Sequence, residues 1–175
     1  MTPPMTPPAT PDPARAATPD IGDDVIHVVG MLGDRPPTWI AQTPRPPREM
    51  QFIAPGRAEA NPAEVTAFFF GPGQGGSRDM NIARWEGQFS NEDGTPAKAG
   101  ITDGLTDGGL ACTFVELEGT YAAMGQPKPV ENQKMIAAVV DAPSGNVFFR
   151  LVGPAETVDD HAEAFRAMVT SLAPM

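Results

Sequence analysis

Glycines spaced as G-x-G-x-x-G carry the most suggestive chemistry in this sequence of 175 residues. They lie in Gly71-Pro72-Gly73-Gln74-Gly75-Gly76, between an expected strand ending at Phe70 and an expected helix opening at Ser77. In a dinucleotide-binding unit such glycines let the backbone approach a pyrophosphate at a helix N-terminus. The surroundings argue against that use. The segment after the helix, Asn91 to Gly100, holds no hydrophobic parallel strand, and so no acidic residue ending one to meet a ribose. Asp79 also places a negative charge in the first helical turn, where a phosphate needs room. What survives is smaller: the amides of Gly73, Gly75, Gly76 and Ser77, with Arg78 beside them, form a candidate loop for a small anion. Glycine dihedrals alone would explain the same residues.

A second constellation sits on the helix that follows. Asn81, Arg84 and Gln88 recur at helical spacing beside an apolar stripe of Ile82, Trp85 and Phe89. With Trp85 packed inward, the amides and the guanidinium form a polar face, which is the candidate recognition surface. The remaining chemistry-bearing residues read as structural. Cys112, the single cysteine, stands in an apolar run that reads as a strand, and free cysteine packs as a small hydrophobe. No local motif sets His27 or His161 beside it to activate a thiolate. Nor do the two histidines have zinc-ligand spacing. Asp103, Asp107 and Asn91-Glu92-Asp93-Gly94 miss the calcium-loop pattern and match turn chemistry. Glu116 and Glu118 share one strand face, where paired carboxylates are ordinary solvent-side residues. No metal ligand set and no cofactor motif is read.

Positioning these residues requires strands at 25–29, 50–54, 64–70, 110–117, 135–140 and 147–152, with a short strand and hairpin turn within 95–109. Val65, Ala67 and Phe69 lie on one face of the third, and Phe68 and Phe70 on the other, as in a strand buried on both sides. Gly33 to Pro37 reads as a turn, 125–132 as a loop, and Asp141 to Asn146 as a hairpin connection. Helices are expected from Ser77 to Phe89 and from Thr157 to Leu172, the second opened by a capping box of Thr157 with Asp160. The expected fold class is therefore α+β: a mainly antiparallel sheet of about six to seven strands flanked by two principal helices.

Residues 1–21 hold seven prolines among Thr, Ala and Asp, and read as a disordered proline-rich tail. Residues 22–175 are expected to form a single domain. With 12 Lys and Arg against 22 Asp and Glu, the net charge is −10, and no basic cluster exists to neutralise phosphates. Nucleic acid is excluded as a partner on that ground. No stretch approaches the roughly 20 apolar residues of a membrane span. Met1 is followed by Thr and Pro, without the basic and apolar regions of a secretory signal.

Phe68 to Ser77 and Asn81-Ile82-Ala83-Arg84-Trp85-Glu86-Gly87-Gln88-Phe89 resemble a group of uncharacterised bacterial proteins sharing F-x-F-G-x-G-x-G-G-S and N-x-x-R-W-x-G-Q-F patterns. Gly119-Thr120-Tyr121, Phe148 to Pro154 and the helix through Phe165 to Leu172 are similar to the same group. The order of elements resembles the PsbP-like fold, shared by a photosystem accessory subunit and a Ran-binding import factor. That resemblance implies an antiparallel sheet between helices, an α/β/α sandwich. It also implies a periplasmic or cell-envelope location, with the tail as a tether after a lipidated cysteine that this sequence lacks. The function expected is a non-enzymatic binding or accessory domain for a protein partner. The alternative is a small-ligand-binding protein or hydrolase whose site is assembled from dispersed residues.

Overall fold

The computed structural model describes residues 24–175. The proline-rich tail of 1–21 lies outside the described residues. The first elements are two short strands, β1 (Val25–Val28) and β2 (Met31–Asp34). A turn was expected at Gly33–Pro37, but Gly33 sits inside β2, paired with Ile26. The actual turn is the two-residue link Val29-Gly30, with φ of 48° and 72°. Positive φ at both positions matches the twist of a tight hairpin, and it obliges β-branched Val29 to adopt a backbone it disfavours.

The main sheet then assembles from β3 (Ile40–Ala41), β4 (Arg48–Ala54), β5 (Ala63–Phe68), β6 (Phe89–Ser90), β7 (Gly100–Leu105), β8 (Ala111–Tyr121), β9 (Val130–Ala142) and β10 (Gly145–Pro154). Their spatial order is β3-β4-β5-β10-β9-β8-β6, with β7 also paired to β8, and every pairing is antiparallel. The loop expected over 125–132 is shorter, because β9 begins at Val130. Helix α1 (Arg78–Glu86) links β5 to β6, and α2 (Ala155–Thr170) follows β10. A last strand, β11 (Ala173–Pro174), joins β1 and β2 in a small second sheet.

Alternation along the strands divides the interior in two. Val65, Ala67, Ile136, Ala138, Phe149 and Leu151 face α2 and the small sheet. There Val158, Phe165, Met168 and Val169 of α2 are buried, each contributing about 1.5–3 kcal/mol of transfer free energy. Val115, Leu117, Met135, Ala137 and Phe148 face the other way, toward Ile82 and Trp85 of α1.

The start of α2 differs from expectation. Thr157 is not a cap but lies within the helix, fully buried, and its Oγ1 donates to Asn61 O at 2.7 Å. Pro154 stands at the N-cap position without a side-chain hydrogen bond. A distant carbonyl claims the hydroxyl, a tertiary partner that local spacing cannot reveal. The two helices are also unequal. Nine residues of α1 make a rod of about 14 Å, too short to cover its face of the sheet.

Candidate functional site

The uncovered area is a cavity of about 560 Å³. Its floor comes from β5 and β10, where Glu64, Phe68, Phe148, Arg150 and Val152 point to the α1 side. Arg84 and Trp85 of α1, with Gln88 just past its C-cap Gly87, form one wall, and Ala123, Met124 and Gln126 of the β8–β9 loop form another. Arg48 enters from β4, where a register shift between Arg48 and Met50 brings it opposite Phe68. Aromatic rings build the scaffold. Phe68 stacks on Phe70 at 6.2 Å, and Phe148 meets Phe70 at 6.1 Å and Trp85 edge-on at 6.4 Å.

Three arginines thus converge on one carboxylate in a chain of net charge −10. Arg48 already holds that carboxylate as a fork, Nη1 to Glu64 Oε2 at 3.4 Å and Nη2 to Oε1 at 3.3 Å. Gln51 Nε2 donates to the same Oε2 at 3.3 Å. Arg84 donates to Asn81 Oδ1 and has no carboxylate partner among the described residues. Arg150 lies with its guanidinium 4.8 Å from the Phe68 ring centre, and its Nε is buried without an acceptor. Burial pulls this guanidinium below the ordinary arginine range. Tyr121 and Glu64 oppose that shift, and the like charges of Arg48 and Arg84 add to it.

Two further buried atoms lack partners nearby: Gln88 Oε1 on the lining, and Oγ1 of Thr66, the cross-strand neighbour of Arg150, which does not itself line the cavity. Buried polar groups are ordinarily hydrogen-bonded, and each exception calls for an explanation. Arg150 and Gln88, each carrying such an atom, line the same cavity.

The residues singled out by sequence are divided by the structure. Arg84 and Gln88 line the cavity. Asn81 does not present itself to a partner: it is 1% exposed, and its Nδ2 donates to Gly75 O and Ser77 O, both at 2.9 Å. It braces the glycine loop and orients Arg84. In that loop Gly73, Gly75 and Gly76 all have positive φ. A Cβ on Gly75 would come within 2.7 Å of Phe70 and 2.9 Å of Phe148, so the loop packs as a lid on the aromatic scaffold. Ser77 caps α1, its Oγ accepting from Met80 N at 3.2 Å. Arg78 turns away to Asp79 at 2.9 Å and Asp103 at 3.1 Å.

Other expected structural residues are occupied as well. Cys112 is buried, and burial, with the charge of Asp103, pushes its thiol up. His161 accepts from Trp39 Nε1 at 3.1 Å, and its Nε2 pairs with Pro55 O at 2.8 Å. Glu116 is bound by Lys134 at 2.7 Å and Arg166 at 2.9 Å. No group of three or more His, Cys, Asp or Glu converges as a metal site among the described residues. No described helix is long and apolar enough to cross a membrane.

Arg48, Glu64, Phe68, Tyr121 and Arg150 were not singled out by sequence. Arg150 left one signal: a lone cation inside the apolar run Val147 to Val152, where charges are rare unless paired or used.

An α+β sandwich with this antiparallel sheet between a short and a long helix is a PsbP-like fold, and the likeness is one of fold. The chain superposes on the solution structure of cyanobacterial PsbP (CyanoP) from Synechocystis sp. PCC 6803 with a TM-score of 0.53, at 12% identity, over 83% of this chain and 87% of that one. It superposes on the Pseudomonas aeruginosa protein of unknown function PA94 with a TM-score of 0.50, at 14% identity, over 86% and 96%. No known protein family matches the sequence, and no curated protein does.

Proposed function

We propose that this chain is a non-enzymatic binding or accessory domain, and that its recognition site is the cavity between α1, the open half of the sheet and the β8–β9 loop. One observation carries the reading: Arg150 is held in the lining with a buried Nε that has no acceptor. A guanidinium kept in this state is costly, and an anionic group brought by a ligand or partner supplies what it lacks. The volume of about 560 Å³ falls within the roughly 300–1,000 Å³ of ligand pockets. Binding is favoured over hydrolysis because the one carboxylate of the lining, Glu64, is already held by Arg48 and Gln51, and Tyr121 is its only hydroxyl. The domain works outside the cytoplasm in this reading, with residues 1–21 as its tether, and engages a protein partner.

A photoreactive phenylalanine analogue at Met124, on the rim, and at Lys98, away from it, tests the site in cells that make the protein. Adducts are expected from Met124 alone, and they should diminish with Arg150→Met. Equal labelling from both positions would sink the site. Cell fractionation that recovers the chain with cytoplasmic markers would remove the location.

A further inference from the structure

We infer that the cavity takes an acylated amino acid, the chemistry of a peptide's C-terminal residue, with its carboxylate on Arg84 and Arg150 and its N–H on Gln88. The inference rests on the cavity being the recognition site and assigns what fills it.

The unpartnered atoms set the requirement. Arg150 Nε is a donor lacking an acceptor, and Gln88 Oε1 is an acceptor lacking a donor; both are buried on the lining. A simple anion would satisfy the first and leave the second. A ligand carrying an oxyanion and a nearby N–H satisfies both, and an acylamino carboxylate holds these groups on adjacent bonds. Charge supports a single carboxylate head. Of the three arginines, Arg48 is already forked onto Glu64, which leaves two guanidiniums for the ligand. A guanidinium fork matches a carboxylate's two oxygens.

The walls indicate the side chain. Phe70 is 42% exposed, Val130 46% and Met124 81%, so an apolar rim surrounds the cationic floor. An aromatic or branched apolar side chain would bury this rim while the carboxylate descends to the arginines. Glu64 sets the limit on charge: it already occupies one guanidinium, and it repels a second negative group on the ligand. A phosphate dianion is disfavoured for that reason.

Titration calorimetry on the full chain separates the possibilities with ligands alone, so no variant has to fold. The probes are N-acetyl-phenylalanine, its C-terminal amide, 3-phenylpropionate, inorganic phosphate, and a short peptide ending in phenylalanine. N-acetyl-phenylalanine should bind, and its amide roughly ten- to a hundredfold more weakly, as losing a charge-assisted hydrogen bond costs. 3-Phenylpropionate, which lacks the N–H, should bind about five- to tenfold more weakly, the expected loss for one neutral hydrogen bond to a buried acceptor. A peptide at least as tight as the free acylamino acid points to a protein terminus as the source, and a weaker one to a small metabolite. Gln88→Leu should erase the preference over 3-phenylpropionate, and Arg150→Met the preference over the amide. Equal affinity for acid and amide, tighter binding of phosphate, or no heat from any probe at millimolar concentration would overturn the inference. Amide resonance shifts on binding distinguish the two levels. Binding of phosphate with shifts at Phe68, Arg84 and Arg150 would overturn the ligand and keep the site. Binding of any probe with shifts elsewhere would remove both.

Discussion

Replacing Arg150 with methionine should leave the fold as stable as before, or slightly more so, while abolishing anion binding. The side chain lies in the second face of the sheet between Phe68 and Phe148, and methionine fills a similar length without polar atoms. Relief of the buried, unpartnered Nε returns about 1–3 kcal/mol. Loss of the cation–π contact with Phe68, 4.8 Å from guanidinium to ring centre, removes about 0.5–2 kcal/mol. A sulfur–aromatic contact restores about 0.3–1.5 kcal/mol. The terms nearly cancel, with a net expectation between no change and roughly 1–2 kcal/mol of added stability. In a domain of this size that corresponds to a melting midpoint up to about 4–6 °C higher. Urea unfolding followed by tryptophan fluorescence measures it, with an unchanged slope as the check that compactness is preserved. Truncating a buried cation that is fully partnered costs about 3–5 kcal/mol. A loss of that size in Arg150→Met would show that the guanidinium is satisfied in the fold, and would refute the assignment of an open site. Arg48→Met supplies the contrast, since Arg48 is paired with Glu64 and should lose rather than gain stability.

Four other outcomes follow from the same geometry. Gly75→Ala should cost about 1–3 kcal/mol in urea, because φ is +88° and the new Cβ meets Phe70 and Phe148, and it should also disturb ligand binding. His161→Ala should cost a similar amount, about 1–3 kcal/mol by thermal unfolding, since it strands the indole N–H of fully buried Trp39. Lys134→Met should cost about 1–2 kcal/mol, because its side chain is 11% exposed and its ammonium touches Glu116 and Asp159, both at 2.7 Å, while those carboxylates are half open to water. Cys112 should react with a disulfide reagent only as fast as the chain opens, and freely in urea. Its thiol holds its proton more tightly in the fold than in the unfolded chain. The stabilisation this carries is whole below about pH 8.5 and lost as pH rises through the folded value, so the melting midpoint should fall in that window and fall less in Cys112→Ala.

Local pattern made much of this protein legible. The α2 stripe of Val158, Phe165, Met168 and Val169 is a period of 3.6 residues, and the alternation expected over 64–70 is a period of two that holds as far as Phe68, where β5 ends and beyond which Phe70 is exposed. Both repeats survive into the structure because each records which side of one element meets apolar neighbours. Closely spaced strands with turn residues between them likewise implied antiparallel pairing. Where a distant group decided the outcome, pattern failed. Thr157 reads as a cap by spacing, but Asn61 O, 96 residues away, takes its hydroxyl. Asn81 reads as surface by helical phase, but the glycine loop folds back over it.

The cavity divides along the same line. Arg84 and Gln88 could be placed together because they are four residues apart in one expected helix, although the helix ends at Glu86. Arg48, Glu64 and Arg150 are far apart in the chain and come from three strands, and only the order β4-β5-β10 sets them side by side. The sequence by itself determined the elements, their buried faces and the acidity of the whole. Tertiary structure alone decided that a nine-residue helix leaves a cavity on its face of the sheet, and that guanidiniums gather there without enough carboxylates to meet them. Periodicity is a property of neighbours along the chain, whereas a site of this kind is a property of strand order and of what remains uncovered.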